Sequence, residues 1–270
     1  MNPELAAYLN AADAALKRPA INGYRGPVHV GVDLGTAYTT LFVLDEAYQP
    51  LIGAYRFAEV VRDGLVVDFA GATKLLRELK QEVESRLGFE LTSAATTYPP
   101  GVPQVEVRAT RYVVESAGME CTGVVDEPTA ANAVLQVENG AVVDIGGGTT
   151  GIAIIREGQV IYTADEATGG VHFTLVLAGA HHISFGEAEA LKINPEKQER
   201  LFPIVYPVME KVATIIARHV AGYSVETLYL VGGTSAFKGI DEVIASVTGV
   251  RTFVPTNPLF VTPLGVAKYN

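Results

Sequence analysis

The pattern of apolar and polar positions changes character along the chain. Residues 3–16 read PELAAYLNAADAAL, with apolar side chains at helical spacing, so an amphipathic helix is predicted there. Residues 18–27 are rich in proline and glycine and predict a linker. The first helix is either a detachable targeting helix or a helix docked on its own domain, and we favour docking. From Val28 onward, β-rich runs alternate with helical stretches, which is typical of an α/β protein.

Further helices are predicted from the same spacing rule. One covers residues 70–88 and is closed by a glycine, and another covers residues 102–118 and is stopped by a glycine. Residues 196–222 contain a long helix, predicted to begin near its two prolines because proline suits a first helical turn. Residues 263–269, PLGVAKY, predict a last short helix.

One turn sequence occurs twice. VDLGTAYTT at residues 32–40 leads a β segment into Asp33, a glycine and hydroxyl residues, and VDIGGGTTG at 143–151 repeats this around Asp144. Each copy continues as strand, short turn, strand and later helices, so the fold class is α/β with two related lobes facing each other. The expected domains are an N-terminal helix and linker at 1–27, a first lobe at 28–139 and a second lobe at 140–270. The end of the chain is free to cross back to the first lobe.

Composition narrows the class of protein. Apolar residues make up 49% of the chain and charged residues 19%, which is typical of a globular domain. The net charge of −10 argues against binding to nucleic acid or to anionic membranes. The single Cys121 excludes an internal disulfide and a cysteine-based zinc site. With no apolar run of about 18 residues and no secretion signal, we expect a cytoplasmic protein.

The repeated turn suits phosphate and metal binding. An aspartate at a strand end can present its carboxylate to a cleft, and the following glycines let backbone N–H groups approach an anion closely. Asp33 and Asp144 would hold Mg²⁺ through its waters. A third glycine turn, VGGTSAFKG at 231–239, could support a nucleoside. The predicted phosphate donors are Gly35, Thr36, Gly146, Gly147, Gly148, Thr149 and Thr150.

Five segments in this order resemble the actin-like superfamily of ATPases, which includes actin, DnaK-type chaperones, sugar kinases and bacterial actin homologues. They are GVDLGT (31–36), DEPTAA (126–131), DIGGGTTG (144–151), VGGTS (231–235) and PLGVA (263–267). The resemblance implies two facing ribonuclease-H-like lobes, the actin-like ATPase fold, with ATP and Mg²⁺ between them. VVRDGLVVDF (60–69), TYPPG (97–101), DEATGG (165–170) and the overall length resemble the chaperone-like EutJ family of ethanolamine-utilisation and microcompartment operons.

The resemblance also implies roles for single residues. Glu127 would orient the attacking water or the metal, although it could instead be an acidic residue that complements a helix dipole. Glu189 and Lys192 would reach the ribose or base, although a Glu–Lys pair at this spacing is often a solvated helix face. The residues expected under the nucleoside, unless their turn is merely structural, are Gly232, Gly233 and Thr234.

The chain also departs from the larger chaperones. Phe57 runs almost directly into residues 60–69, and the segment 171–195 is short, so both outer subdomains are expected to be minimal. No counterpart of the chaperones' catalytic lysine is found, and Gly151 occupies the position of a further aspartate. Because losing one charge-stabilising group commonly costs about 3–4 kcal/mol of transition-state stabilisation, we expect nucleotide binding with slow or absent hydrolysis.

The expected function is therefore that of an ATP-binding, chaperone-like or reactivating accessory protein, monomeric or dimeric. Its client would be an ethanolamine-pathway enzyme or a microcompartment component. Three alternatives stay open: an actin-like filament protein, a small-molecule kinase with Asp63 or Asp68 as base, and a degenerate fold that binds a partner without ATP. The DG at 63–64 is also typical of a hairpin turn.

Overall fold

The computed structural model describes residues 3–21, 23–57, 60–62 and 64–270. The chain begins with helix α1 (Pro3–Lys17). The first lobe follows as β1 (Val28–Leu34), β2 (Tyr38–Asp45), β3 (Pro50–Phe57), β4 (Val61–Arg62), β5 (Leu65–Val66), α2 (Phe69–Leu87), β6 (Ser93–Tyr98), α3 (Gln104–Ser116), β7 (Glu120–Asp126) and α4 (Glu127–Leu135). The second lobe contains β8 (Gly140–Ile145), β9 (Thr150–Arg156), β10 (Gln159–Glu166), α5 (Gly170–His181), α6 (Phe185–Lys192), α7 (Gln198–Val220), β11 (Thr227–Val231), α8 (Ile240–Thr248), β12 (Arg251–Phe253) and α9 (Val261–Ala267). Single 3₁₀ turns lie at Gly233–Ala236 and Pro258–Phe260.

The two lobes contain sheets of the same topology. The first is a five-stranded sheet of order β3-β2-β1-β6-β7, and the second is a five-stranded sheet of order β10-β9-β8-β11-β12. In each, the first three strands in sequence form an antiparallel meander and the later strands join in parallel. Asp33 pairs with Thr40 in the first sheet, and Asp144 pairs with Gly151 at the equivalent place in the second. The predicted α/β fold with two duplicated lobes is confirmed.

Each lobe has its own apolar core. In the first lobe, α2 and α3 cover one sheet face with fully buried side chains such as Leu76, Leu79 and Val113. In the second lobe, Phe173 of α5 and Met209 of α7 do the same. Among the residues that the structure describes, the outer subdomains are minimal: the β4–β5 hairpin extends the first lobe, and the short helices α5 and α6 extend the second.

A third apolar cluster joins the lobes. It combines Phe42 of β2 and Val142 of β8 with residues of α4 and α9, so both sheets pack on the same two helices. The helices cross closely, because a Cβ placed on Gly265 would lie 1.8 Å from the Ala130 carbonyl oxygen. After α9 the chain ends against the first lobe, where Asn270 Oδ1 accepts a hydrogen bond from the Val30 amide at 2.9 Å.

Helix α1 packs on its own domain. Leu9, Ala12 and Ala15 are fully buried, and Leu9 and Ala12 belong to the cluster that joins the lobes. The guanidinium of Arg86 on α2 donates to the carbonyl oxygens of Ala15 and Leu16 at 3.1 and 3.0 Å, and also to those of Arg18 and Gly53. One arginine therefore caps the C-terminal end of α1 and ties it to the first sheet.

One helix boundary differs from the sequence prediction. Helix α7 begins at Gln198, so Pro203 and Pro207 lie inside it and the predicted start near these prolines is wrong. The helix continues through both because its apolar side, including Val205 and Met209, is fully buried against the second lobe. Tertiary packing thus outweighs the lost backbone hydrogen bonds. None of the helices in the described part of the chain has the length and apolar character that a membrane crossing requires.

Candidate functional site

A cavity of about 680 Å³ lies between the lobes, and both repeated turns line it. The glycine turn that follows β11 forms a further wall. The structure therefore brings nearly all of the predicted site residues to one place. Those that line the cavity are Asp33, Gly35, Thr36, Glu127, Asp144, Gly146, Gly147, Gly148, Thr149, Glu189, Lys192, Gly232, Gly233 and Thr234.

The second repeated turn, predicted to bind phosphate, is held in place by hydrogen bonds to its carbonyl groups. The Gly146 carbonyl accepts the Gly170 amide at 3.0 Å and the Thr234 hydroxyl at 2.7 Å, and the Gly147 carbonyl accepts the Val171 amide at 2.8 Å. The amides of residues 147–149 have no hydrogen-bond partner among the described residues. Three successive N–H groups on a fixed backbone are what an anion-binding nest requires.

Both repeated aspartates are buried or half-buried and each accepts a threonine hydroxyl. Thr97 donates to Asp33 at 3.1 Å, and Thr262 donates to Asp144 at 2.5 Å. Burial and the charge of Asp144 raise the pKa of Asp33 to about 7, against the opposing hydrogen bond from Thr97. Burial raises the pKa of Asp144 to about 6, against the hydrogen bond from Thr262. A cation between the two carboxylates would offset this cost, because it favours the charged form of each.

Glu127 is the first residue of α4 and lines the same cavity. Burial raises its pKa well above the usual value, and the charges of Asp144, Asp33 and other nearby aspartates add to the increase. Asp126, immediately before it, caps the helix by accepting the Thr129 amide at 3.0 Å. The Asp126 carboxylate thus caps α4, whereas Glu127 lines the cleft.

The third glycine turn supports the second phosphate turn directly. Gly232 has a positive φ of 85°, and a Cβ placed on it would lie 2.3 Å from Asp144 Oδ1. Only glycine fits so close to the carboxylate in that backbone conformation. The Thr234 hydroxyl is already used by the Gly146 carbonyl. This turn therefore positions Asp144 as well as lining the cavity.

Glu189 and Lys192 form a buried ion pair rather than a solvated helix face. Their side chains are 2.6 Å apart, and the two residues are only 7% and 8% exposed. The Lys192 ammonium also donates to the Gly170 carbonyl at 3.1 Å and to the Thr174 hydroxyl at 3.0 Å. Burial lowers the pKa of Lys192, and the charge of Glu189 opposes this. The solvated-face alternative is wrong for both residues.

Two sequence predictions about hydroxyl and carboxylate groups need correction. Thr150 is fully buried outside the cavity lining, and its hydroxyl donates to the Thr168 carbonyl at 2.6 Å, so its prediction as a phosphate donor is wrong. Asp68 caps α2 by accepting the Gly71 amide at 2.8 Å, which argues against its use as a kinase base. Asp63 lies outside the described residues.

The sequence reasoning missed three groups that the structure brings to the site. Tyr38 lines the cavity beside the first turn. Thr97 lies near the end of β6, which is parallel to β1, and neighbouring parallel strand ends could have predicted its contact with Asp33. Thr262 comes from α9, over a hundred residues beyond Asp144, and no local signal pointed to it.

Duplicated lobes that meet at two aspartate-and-glycine turns define an actin-like protein. The family models agree: the model of the MreB/Mbl protein family matches residues 52–197, and that of the cell division protein FtsA matches residues 141–265. More particularly, the chain belongs to the family of the ethanolamine utilization protein EutJ. It is 44% identical over 244 residues to that protein of Escherichia coli K12, covering 90% of this chain and 86% of the relative.

Solved structures are similar to this chain, one at the level of the family and another at the level of the fold. The crystal structure of ethanolamine utilization protein EutJ from Carboxydothermus hydrogenoformans matches with a TM-score of 0.93 and 44% identity over 99% of each chain. MreB5 of Spiroplasma citri bound to AMPPNP matches with a TM-score of 0.71 and 16% identity, over 92% of this chain and 97% of that one. The second similarity shows the fold alone, and its nucleotide belongs to that protein.

Proposed function

We propose that this chain binds ATP with Mg²⁺ in the cleft between its lobes. The observation that carries the proposal is the convergence of both repeated turns and the third glycine turn on one cavity. ATP binding also agrees with the AMPPNP bound to the MreB5 protein of the same fold. In this arrangement Asp33 and Asp144 would hold the metal. The amides of residues 147–149, which have no hydrogen-bond partner among the described residues, would receive phosphate oxygens.

Hydrolysis is proposed to be slow or absent. Gly151 has no side chain to contribute at the position where the chaperones carry an aspartate. Glu127 lines the cleft, and burial together with the neighbouring aspartates raises its pKa, which disfavours the charged form that could accept a proton from water. The bound nucleotide would then act mainly as a ligand that sets the distance between the lobes.

A nucleotide that sets the lobe distance suits a chaperone-like or reactivating accessory protein. Binding of the phosphates by turns from both lobes favours the closed cleft, and their loss favours the open one. Membership of the EutJ family supports a role for this activity in ethanolamine utilisation. We propose that the client is an enzyme of that pathway or a component of its microcompartment, bound by a monomer or dimer of this chain in the cytoplasm.

Calorimetric titration with ATP, in the presence and absence of Mg²⁺, tests the binding proposal. We expect saturable binding by the wild type that weakens at least tenfold without Mg²⁺ and in Asp144→Asn. The matched control is Glu196→Gln, which removes the same charge from an exposed position outside the cavity and should bind normally. Absence of binding by a folded wild-type chain would favour the degenerate fold instead.

A filament is the second candidate, because the MreB/Mbl family model covers residues 52–197. Filament formation needs complementary surfaces on both lobes, and the minimal outer subdomains reduce the area available. Sedimentation of the full chain with and without MgATP separates the two functions. Nucleotide-dependent pelleting that disappears with Asp144→Asn would favour the filament, whereas a small species of constant size would favour the accessory protein.

A further inference from the structure

A second cavity of about 380 Å³ adjoins the cleft, and both lobes line it. It shares Thr36 and Ala37 of the first phosphate turn with the larger cavity, together with the ion pair of Glu189 and Lys192. Arg62 of the β4–β5 hairpin lines it from the first lobe, opposite the beginning of α5. This cavity therefore extends the cleft beyond the tip of the first turn.

The hairpin that presents Arg62 is firmly attached. Val61 is buried in the core of the first lobe, and the Val60 carbonyl accepts the amides of residues 67 and 68 at 3.0 and 3.2 Å. A Cβ placed on Gly64 would lie 2.2 Å from the ring of Pro99, so the end of the hairpin rests on the loop after β6. Gly64 lines the large cavity while Arg62 lines the small one, so the hairpin spans their border.

Arg62 brings a guanidinium to the edge of an acidic site. Its side chain is exposed and makes no hydrogen bond or ion pair with any residue that the structure describes. Lys192 is fully engaged by Glu189, Thr174 and the Gly170 carbonyl. Lys238, which also lines the large cavity, follows the third glycine turn and does not line the small cavity.

The charge of a bound triphosphate needs more compensation than these groups provide. The carboxyl groups that line the cleft include those of Asp33, Glu127 and Asp144, and ATP brings further negative charge. A bound Mg²⁺ would offset part of the phosphate charge, and the oxygens of the terminal phosphate would still accept further hydrogen bonds. An arginine suits those oxygens, because its planar fork donates two parallel hydrogen bonds to a phosphate.

We propose that Arg62 binds the terminal phosphate of ATP and makes the cleft prefer a triphosphate to a diphosphate. This inference rests on the proposed nucleotide binding and adds the residue that discriminates between the two nucleotides. The guanidinium reaches the phosphate from the small cavity, past Thr36 and Ala37. ADP lacks the group that Arg62 contacts, so the diphosphate is bound by the turns and the metal alone.

The test compares the affinities of AMPPNP and ADP, each with Mg²⁺, for the wild type and for Arg62→Ala. We expect the substitution to weaken AMPPNP binding about tenfold or more and to leave ADP binding within twofold. Arg62→Lys keeps the charge but not the fork, so it should recover part of the loss. Arg108→Ala is the matched control, since it removes an exposed arginine of α3 outside both cavities.

Three outcomes overturn the proposal. An unchanged ratio of the two affinities in folded Arg62→Ala shows that the arginine does not contact the terminal phosphate. Equal weakening of both nucleotides, with a lowered thermal midpoint, shows that it supports the hairpin instead. If the wild type binds neither nucleotide, the proposed function itself fails, and that result is distinct from the other two.

Discussion

Gly147 lies directly against Ala37, so the tips of the two repeated turns meet across the cleft. A Cβ placed on Gly147 would lie 2.9 Å from the Ala37 Cβ and 3.0 Å from the Ala37 amide nitrogen. One residue belongs to the second lobe and the other to the first. The two turns can therefore approach this closely only because residue 147 has no side chain.

Gly147→Ala should hold the lobes apart and weaken nucleotide binding about tenfold. The added methyl group meets backbone as well as a side chain on Ala37, so the turns have to separate by a few tenths of an ångström or more. Calorimetric titration with MgATP measures the effect. Gly179→Ala is the control, because no atom lies within 4 Å of its new Cβ. Equal affinities in the two variants would mean that the contact does not set the closed distance.

Asp33→Asn should stabilise the metal-free protein at pH 8 but not at pH 4. An unfolded aspartate loses its proton near pH 4, whereas the folded pKa of Asp33 is about 7. Folding therefore takes up a proton between these values, and the free energy of unfolding falls as pH rises through that window. Asparagine carries no charge and avoids this cost. At a pH above the folded pKa, it should therefore raise the free energy of unfolding by roughly 1–3 kcal/mol.

Urea denaturation in EDTA at both pH values measures the difference. Asp33→Asn should also weaken MgATP binding, so stability and function would change in opposite directions at pH 8. Glu196→Gln, at an exposed position, should leave the free energy of unfolding unchanged at either pH. A loss of stability of the same size at pH 4 and pH 8 would contradict the assigned pKa of Asp33.

Lys192→Met should destabilise the second lobe by roughly 3–5 kcal/mol at pH 7, because it leaves Glu189 buried without its partner. The double variant with Glu189→Met should recover much of this loss, since no unpaired charge then remains. Lys74→Met is the comparison. Lys74 and its partner Glu78 are exposed and their charged atoms lie 3.9 Å apart, so the loss of stability should stay below about 1 kcal/mol. Chemical denaturation of the wild type and these three variants measures the differences, and equal costs for Lys192 and Lys74 would show that the buried pair contributes little.

Arg86→Ala should release helix α1. It removes hydrogen bonds to the carbonyls of residues 15, 16, 18 and 53, with an expected loss of about 2–3 kcal/mol of stability. Limited proteolysis should then cut the linker at residues 18–27 faster than in the wild type. Arg77 lies on the same helix and makes one hydrogen bond, to the Ser116 carbonyl at 2.7 Å. Arg77→Ala should change neither the stability by this amount nor the cleavage rate of the linker. An unchanged cleavage rate in Arg86→Ala would show that apolar burial alone holds the helix.

The sequence by itself determined the duplication and the location of the two repeated turns. Both can be recognised from local patterns, because a β-rich run followed by an aspartate and glycines predicts a strand and a tight turn wherever it lies in the fold. The paired aspartates, the three glycine turns and the α/β class could all be predicted this way. The duplicated order of strands then requires both turns to end at equivalent sheet edges.

Only the tertiary structure decided how those groups are supported. The contact of Thr262 with Asp144 joins residues far apart in the chain, and the burial of Lys192 depends on α5 packing beside α6. Thr149 and Thr150 are neighbours of the same type, yet only Thr149 lines the cavity. Successive side chains in an extended segment point to opposite sides, so the register of β9 in its sheet selects which hydroxyl faces the cleft.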